Sequence, residues 1–188
     1  MDLFGVFSAF GLSASAGLNA YIPLLTLALL AKFTDLIKLS EPWNALTSWW
    51  IIGLLLVLSV IEFFADKVPA VNHVNDIIQT FIRPAAGAIV FAASAHTLTE
   101  VSPILSIAAG ILVAGSVHAV KALAVRPAIT ATTAGTANVP VSIAEDLVST
   151  ALSILAVVLP VVIACVLVLI TAYIIWRLYR RSRVIPAH

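Results

Sequence analysis

Residues 147–176 read LVSTALSILAVVLPVVIACVLVLITAYIIW, a run of 30 residues without a charged side chain. About 20 mostly apolar residues are enough for an α-helix to cross a bilayer, so this run predicts a membrane-spanning helix. Four arginines follow it, at Arg177, Arg180, Arg181 and Arg183. Because basic residues are retained on the cytoplasmic side of a membrane, this Arg-rich tail, residues 177–188, predicts a cytoplasmic C-terminus.

Four further apolar runs precede it, at residues 3–31, 48–65, 84–98 and 103–125. In the whole chain 62% of residues are hydrophobic and 10% are charged, and the mean hydropathy is +1.12. A soluble domain carries about 25% charged residues, so a water-soluble globule is excluded. The predicted fold class is all-α: a polytopic transmembrane helical bundle of about five spanning helices, forming a single integral membrane domain over residues 1–188.

Several classes of function are excluded by what the sequence lacks. The single cysteine, Cys165, can form neither an internal disulfide nor a Cys-based zinc site. A net charge of +1 provides no basic surface for nucleic acid. The sequence has no nucleophile–base motif and no phosphate-binding glycine loop. The chain is therefore predicted to be no enzyme, to need no cofactor or metal, and to lie in the lipid bilayer of a bacterial inner (plasma) membrane.

Proline and capping residues indicate where several helices begin. Ser102 followed by Pro103 is typical of an N-cap and a first helical position. Pro84 is expected in the first turn of the third spanning helix. Ser142 and Glu145 form a capping-box pattern before the last run.

Three stretches do not fit a simple spanning helix. Residues 3–31 are long enough to be tilted, kinked at Pro23 or divided into two short helices. Residues 66–82 are amphipathic and could lie at the membrane interface or dip into it. Residues 127–141 combine four threonines with two prolines and almost no charge. They are interpreted as an irregular re-entrant or cavity-lining segment, with an ordered surface loop as the alternative.

The second and fourth runs carry a weak internal similarity. Residues 53–60 resemble residues 110–117, and each stretch is followed by an Arg-Pro-Ala step, at Arg83 and at Arg126. An edited internal repeat is one interpretation, and chance similarity between apolar sequences is the other. Membrane transporters use symmetry of this kind around a central site.

Glu62 is the most informative single residue. Ser59 lies one helical turn before it and Asp66 one turn after it, so the three side chains share a helix face. An acidic side chain near the centre of a membrane helix costs about 2.5–3.5 kcal/mol. The face is therefore predicted to point into the bundle, toward a cation, a proton path or water. The alternative is that Glu62 lies near the interface and pairs with Lys67.

His118 and Lys121 share a face of the fourth run, and Arg126 follows them. Together they could hold an anionic group, or neutralise Glu62 and Asp66. The alternative is that Lys121 and Arg126 reach lipid headgroups from the end of the helix.

The two Arg-Pro-Ala steps, at Arg83 and Arg126, are a second candidate for anion binding. Proline can open a helix whose free N–H groups favour anions. Other candidates are polar residues that interrupt apolar sequence and could contact a solute or join helices: Asn19, Asn138, Thr132 and Thr133.

Further acidic residues are explained by local structure. Glu145 and Asp146 are expected as acids in a first helical turn, unless they face Arg126 or Lys121.

His73, Asp76 and Asp66 suggest a metal site only weakly, because no recognised ligand pattern accompanies them.

Five segments together resemble one protein family: GLNAYIP at 17–23, EFFADKVP at 62–69, RPAAGA at 83–88, His118-x-x-Lys121, and Glu145-Asp146. The resemblance covers roughly residues 11 to 150. The family is one of multi-pass membrane proteins from bacteria and some photosynthetic organisms, catalogued as a domain of unknown function. The resemblance implies a small polytopic protein and brings no activity or site with it.

Two hypotheses follow for function. In the first, the chain is a small transporter or channel with a charged site near the midplane, moving a small polar or anionic solute or an ion, coupled to protons. A homo-oligomer is expected, with a dimer favoured. In the second, the chain is a non-transporting scaffold or lipid-binding module whose buried charges pair internally. Because charged residues are scarce in the apolar runs, both hypotheses concern the same buried charged residues.

Overall fold

The computed structural model describes residues 3–95 and 102–182, which form seven α-helices and no strand. The helices are α1 (Leu3–Leu18), α2 (Tyr21–Phe33), α3 (Trp49–Ala65), α4 (Pro69–Ala95), α5 (Pro103–Val120), α6 (Arg126–Thr133) and α7 (Asn138–Ser182). A short 3-10 helix, Trp43–Thr47, precedes α3, and a π-helical turn, Lys121–Val125, joins α5 to α6. The all-helical prediction is confirmed.

Helix α1 lies at the centre of the bundle, between α4, α5 and α7. Its partners follow from its small side chains. Ser13 Oγ donates to the carbonyl of Gly87 in α4 at 2.9 Å. On the α7 side, Ser15 Oγ lies 2.7 Å from the hydroxyl oxygens of both Ser149 and Ser153. Hydroxyl bonds of this kind join helices where lipid gives no hydrophobic drive for association.

Helices α4 and α5 approach each other closely at Gly87 and Gly110. A Cβ added at Gly110 would lie 2.7 Å from the Cα of Ala88, closer than real contacts allow. Ala114, one turn further along α5, is completely buried. Small residues spaced four apart in α5 therefore form a packing face against α4.

The described helices have the length and surface that a membrane requires. Three apolar stretches are long enough to cross one, namely Val74–Ser94, Pro103–Thr133 and Asn138–Leu159, and α1, α2 and α3 are shorter apolar helices. Large apolar side chains such as Phe81, Leu112 and Leu123 point outward and are exposed. Because all backbone groups of a helix are bonded within it, such a surface is stable in lipid.

Two predicted helix starts are wrong. Pro84 lies inside α4, so residues 69–95 form one continuous helix and the amphipathic stretch 66–82 is largely its first half. Neighbouring helices can compensate for the missing N–H of a proline inside a membrane bundle, and here the Pro84 ring lies beside Gly115 of α5. The last helix begins at Asn138, so Ser142 and Glu145 lie inside it rather than at its start. Pro103, in contrast, occupies the first turn of α5 as predicted.

The first run is divided into two short helices, α1 and α2, one of the arrangements that its length predicts. Residues 127–141 are mostly helical, so the predicted irregular backbone is confined to the turn 134–137. The turn reverses the chain through Ala134 and Gly135, whose φ angles are +50° and +84°. The third predicted run extends beyond α4 into residues 96–98, and the Arg-rich tail extends beyond α7 into residues 183–188; both parts lie outside the described residues.

Candidate functional site: a buried charge cluster

Ten ionisable side chains from α3, α4, α5, the π turn, α6, α7 and the α3–α4 connection meet in one place. They are referred to below as the charge cluster: Glu62, Asp66, Lys67, Asp76, Arg83, His118, Lys121, Arg126, Glu145 and Asp146. Most of them are buried. An unpaired charge is very costly in such a place, so the pairing within the cluster is what allows the bundle to contain it.

Arg83 forms the innermost part of the charge cluster. Its side chain is completely buried, and Nη2 donates to Glu62 Oε1 at 3.0 Å. Nη1 lies 3.1 Å from Nδ1 of His118, whose Nε2 is in turn 3.2 Å from Thr80 Oγ1. Glu62 therefore pairs with Arg83 and not with Lys67, and it faces the bundle interior as the spacing of Ser59, Glu62 and Asp66 predicts.

Asp66 connects the inner and outer parts of the charge cluster. Its Oδ2 lies 3.1 Å from Arg126 Nη2, 3.7 Å from Arg83 Nη2 and 3.8 Å from Lys121 Nζ. Its Oδ1 accepts from Asn75 Nδ2 at 2.6 Å. Asp66 lies between α3 and α4. Burial raises the pKa of its carboxyl, but the surrounding cations and Asn75 lower it by more, so the pKa lies below its ordinary value.

The π turn explains why Lys121 and Arg126 face the same carboxylates. Residues five apart point in different directions on an α-helix, whereas a π turn, with hydrogen bonds from i to i+5, brings them onto one side. The N–H of Arg126 accordingly donates to the carbonyl of Lys121. Pro127 favours this widening, because it has no N–H and its ring clashes with the carbonyl four residues earlier.

These two cations have different partners beyond Asp66. Lys121 Nζ lies 2.8 Å from Glu145 Oε2 and donates to the carbonyl of Leu18 at 3.0 Å. Arg126 Nη1 donates to both carboxylate oxygens of Asp76, at 2.9 and 2.8 Å. The alternative in which both residues reach lipid headgroups does not fit these contacts.

Asn19 attaches the break between α1 and α2 to the charge cluster. Its Oδ1 accepts from the N–H groups of Tyr21 and Ile22, both at 3.1 Å, and so satisfies the start of α2. Its Nδ2 donates to Asp146 Oδ1 at 3.0 Å. The other oxygen of Asp146 pairs with Lys67 at 3.0 Å.

The described charge cluster has an unequal number of charges. It combines five carboxylates with the four basic side chains Lys67, Arg83, Lys121 and Arg126. With His118 neutral, its formal charge is therefore −1. The pairs Glu62–Arg83 and Asp146–Lys67 are balanced. The excess lies in the remaining group, where the carboxylates of Asp66, Asp76 and Glu145 share the two cations Lys121 and Arg126.

An open cavity of about 460 Å³ adjoins this remaining group, and Lys121 and Glu145 form the charged part of its wall. The other lining residues come from the end of α1, from α5 and the π turn, and from the first turns of α7: Leu18, Ser116, Val117, Val120, Val125, Val141, Ala144 and Val148. This volume is in the range of small-molecule sites in proteins.

Nine of the predicted site residues come together here: Asn19, Glu62, Asp66, Arg83, His118, Lys121, Arg126, Glu145 and Asp146. Three do not. Asn138 exchanges hydrogen bonds with Thr130 at 3.2 and 3.1 Å, and the hydroxyls of Thr132 and Thr133 donate to carbonyls of their own helix. Their polar groups are satisfied locally.

Two predicted anion sites are wrong. Pro84 does not open a helix, and α6 at Pro127 continues directly from the π turn. Both preceding arginines bind carboxylates. For metals, the part of the chain that the structure describes contains no group of three potential ligands; the side chain of His73 lies outside it.

Four participating residues were not predicted to line a solute or ion pathway. The sequence suggested Lys67 only as an alternative partner of Glu62 and Asp76 only as a weak metal ligand, and it did not single out Asn75 or Thr80. Of these, Asp76 and Thr80 had a usable signal, because Asp76, Thr80 and Arg83 are spaced by four and three residues and share a helix face.

Comparison with known proteins identifies the family and no activity. A family model described as "Domain of unknown function (DUF4126)" matches residues 6–180, which include the whole charge cluster. No curated protein and no solved structure matches the chain. The resemblance inferred from the sequence motifs is thereby confirmed, and the chain belongs to the DUF4126 family.

Proposed function

We propose that the chain is a small proton-coupled membrane transporter and that the charge cluster is its site of ion exchange. The observation that carries this proposal is the formal charge of −1 in a buried cluster. Such a cluster is stable only when one more positive charge is present. A proton and a transported cation can each supply that charge, and their alternation couples the two.

Glu62 is the proposed proton carrier. Within the described part of the chain its Oε2 is buried and has no hydrogen-bond partner, while Oε1 keeps its contact with Arg83. A proton can therefore bind at Oε2 without displacing an existing hydrogen bond. Ionisable groups buried within membrane helices are the usual elements of proton relays.

The position of the cluster along the apolar helices supports a site near the midplane. Arg83 and His118 lie within one residue of the midpoints of Val74–Ser94 and Pro103–Thr133. Transporter sites are commonly found at this depth, beside interrupted helices. The break at Asn19 and the π turn are two such interruptions next to the charge cluster.

The charge balance favours a cation over the anionic solute that the sequence suggested. Each of the four basic side chains in the charge cluster has a carboxylate within 4.0 Å. An anion would have to displace one of these carboxylates, and it would make the formal charge of the cluster more negative, from −1 to −2. A cation would neutralise the site.

Ion flux in proteoliposomes tests the proposal. Purified chain is reconstituted with a pH-sensitive dye inside the vesicles, and gradients of Na⁺, K⁺ and small ammonium ions are applied in turn. We expect at least one cation gradient to drive proton movement in the opposite direction. Glu62→Gln, which cannot release a proton, should abolish it.

Glu41→Gln is the matched control, because Glu41 is exposed, accepts a hydrogen bond from Asn44 and lies outside the charge cluster. It should transport as wild type does. Flux equal to that of empty vesicles for the wild type across this cation panel would contradict the proposal. So would unchanged coupling in Glu62→Gln.

The second candidate is a non-transporting scaffold or lipid-binding module. It is favoured by the pairing itself, since every carboxylate of the charge cluster has a basic partner within 4.0 Å. In this case Glu62→Gln should lower the melting temperature, and no cation gradient should move protons in any variant.

The orientation and assembly of the chain are part of the same proposal. We place the C-terminus in the cytoplasm of a bacterium, on the side where the arginines after residue 176 would be retained, and we propose a homodimer in the inner membrane. Cysteine labelling from either side, in a chain with Cys165→Ala, and the mass of the detergent-solubilised protein test these two statements.

A further inference from the structure

The cavity beside the charge cluster has two unlike parts. Most of its wall is apolar, formed by five valines with Leu18 and Ala144, and its charged part is the Lys121–Glu145 pair. A wall of this composition receives a ligand with a large apolar body and a single polar or charged group.

Of the two charged side chains in the wall, that of Glu145 is the more exposed. Lys121 is 3% exposed, and its Nζ is held by Glu145, by the carbonyl of Leu18 and, at 3.8 Å, by Asp66. The side chain of Glu145 is 12% exposed. A ligand in the cavity therefore meets Glu145 first.

The excess negative charge lies on the same side. Glu145 belongs to the group in which three carboxylates share Lys121 and Arg126. A positive charge placed near Glu145 makes this group neutral, and a negative charge there leaves two charges uncompensated. In an environment of low dielectric constant this difference decides which ligand binds.

The cavity opens toward the outer surface of the bundle. Val120 and Val148, which line it from α5 and α7, are both exposed, and each belongs to an apolar stretch long enough to cross a membrane. A ligand dissolved in the hydrocarbon region can therefore reach the cavity from the lipid.

We propose that this cavity binds lipophilic cations, molecules with an apolar body and one positive charge, with the charge directed at Glu145. The inference rests on the proposed function, because it names the class of substrate for the same site. Binding of the cation supplies the positive charge that the proton on Glu62 otherwise provides.

Two probes of the same shape and opposite charge test the proposal. Tetraphenylphosphonium and tetraphenylborate each carry four phenyl groups around one central atom. Equilibrium binding of both is measured to the full chain in lipid nanodiscs. We expect saturable binding of the phosphonium ion at one site per chain. The borate should bind at least about tenfold more weakly.

Two variants examine the charge and the space separately. Glu145→Gln should weaken binding of the phosphonium ion by about tenfold or more. Ala144→Phe should do the same without changing any charge, because its ring fills the cavity. Glu41→Gln should bind as wild type does. Melting temperatures of all variants identify any that fail to fold. Glu145→Gln and Ala144→Phe should weaken binding for independent reasons, the first by removing a charge and the second by filling the space.

Equal binding of the two probes would overturn the proposal, and so would unchanged binding in folded Ala144→Phe. Failure of the proposed function has a different signature. If the phosphonium ion binds as described but no cation gradient moves protons in vesicles, the cavity is a binding site and the transporter proposal is wrong. If flux is observed with Na⁺ or K⁺ and neither probe binds, only the inference about lipophilic cations is wrong.

Discussion

Arg83 shows at the scale of one residue how the bundle contains charge. A guanidinium group has five N–H donors, so one side chain can serve several acceptors at fixed angles. Here it bonds Glu62 and His118 and lies near Asp66, while completely buried. Within the described chain its Nε has no hydrogen-bond partner. Lysine, a single point of charge, could not reproduce these contacts.

Removal of this guanidinium alone should lower the free energy of unfolding strongly. Removal of Arg83 and Glu62 together should lower it only mildly. Arg83→Met leaves Glu62 buried without its cation, at an expected cost of about 3–5 kcal/mol in the free energy of unfolding. Glu62→Leu combined with Arg83→Met leaves no such charge and should recover more than half of that loss. Denaturant unfolding in detergent micelles is measured for four chains: the wild type, Arg83→Met, Glu62→Leu and the double variant. Purely additive effects of the two substitutions would show that the pair is not coupled.

The sequence predicted which residues are buried charges better than it predicted their partners. Glu62 and Lys121 stand out because charges are scarce in apolar runs. The partner of Glu62 was harder to predict, because Lys67 is near it in sequence, whereas Arg83 reaches it only through the packing of α4. Pairing depends on helix rotation and tertiary contacts, neither of which is encoded in spacing alone.

At the scale of elements, the contact between α4 and α5 depends on the absence of side chains. Gly110 should therefore respond differently from an ordinary helical glycine. In most helices Gly→Ala is favourable by up to about 1 kcal/mol. At Gly110 the added methyl group would meet Gly87 and Ala88. Overpacking of this kind typically costs about 1–3 kcal/mol, so Gly110→Ala should lower the melting temperature.

Gly53 in α3 is the matched control, because no described atom lies within 4 Å of a Cβ built there. Gly53→Ala should leave the melting temperature unchanged or raise it. Thermal unfolding of both variants in the same detergent makes the comparison. A Gly110→Ala chain at least as stable as Gly53→Ala would show that the two helices are not in close contact.

The sequence predicted that these elements are helices better than it predicted where each helix begins and ends. The five apolar runs gave helices, and Pro103 marked a start correctly. The same rule failed at Pro84, because a membrane bundle accommodates a proline that would end a helix in water. Threonines at 130, 132 and 133 suggested an irregular segment. Their hydroxyls instead bond to nearby carbonyls or to Asn138, which makes a helix acceptable.

At the scale of the whole molecule, aromatic residues indicate how the bundle lies in a membrane. Trp49 and Trp50 begin α3, and Trp50 is 90% exposed. Lys32 Nζ lies 4.3 Å from the centre of the Trp49 ring. Tryptophan and lysine together are typical of the boundary between hydrocarbon and headgroups. This end of α3 should therefore lie at a membrane surface.

Fluorescence quenching measures that depth. Trp43 and Trp176 are replaced by phenylalanine, so that emission comes from the pair at the start of α3. Lipids brominated next to the headgroup should quench it more strongly than lipids brominated at the chain ends. Stronger quenching by the chain-end bromines would show that this end of α3 is buried in the hydrocarbon.

Composition was sufficient for the class of the molecule and insufficient for its arrangement. The scarcity of charge predicted an all-helical membrane protein. That α1 occupies the centre follows from small residues such as Ser13 and Ser15, whose partners lie 74 and more residues away. The cavity, in turn, is lined by residues of α1, α5 and α7 that are far apart in the sequence, so no local pattern reveals it.

The π turn has a mechanical consequence. An α-helix rotates by about 100° and advances by about 1.5 Å with each residue, and a π turn holds one residue more than an α-turn. If the turn tightened to α-helical geometry, α6 and the chain after it would rotate about the helix axis relative to α5. Arg126 would then lose its contacts with Asp76 and Asp66 at the same time. Spin labels at residues 78 and 130 would report the rotation as a change of distance on addition of tetraphenylphosphonium. The one extra residue of the π turn would thus set the size of such a rotation, and the ion pairs of Arg126 would oppose it.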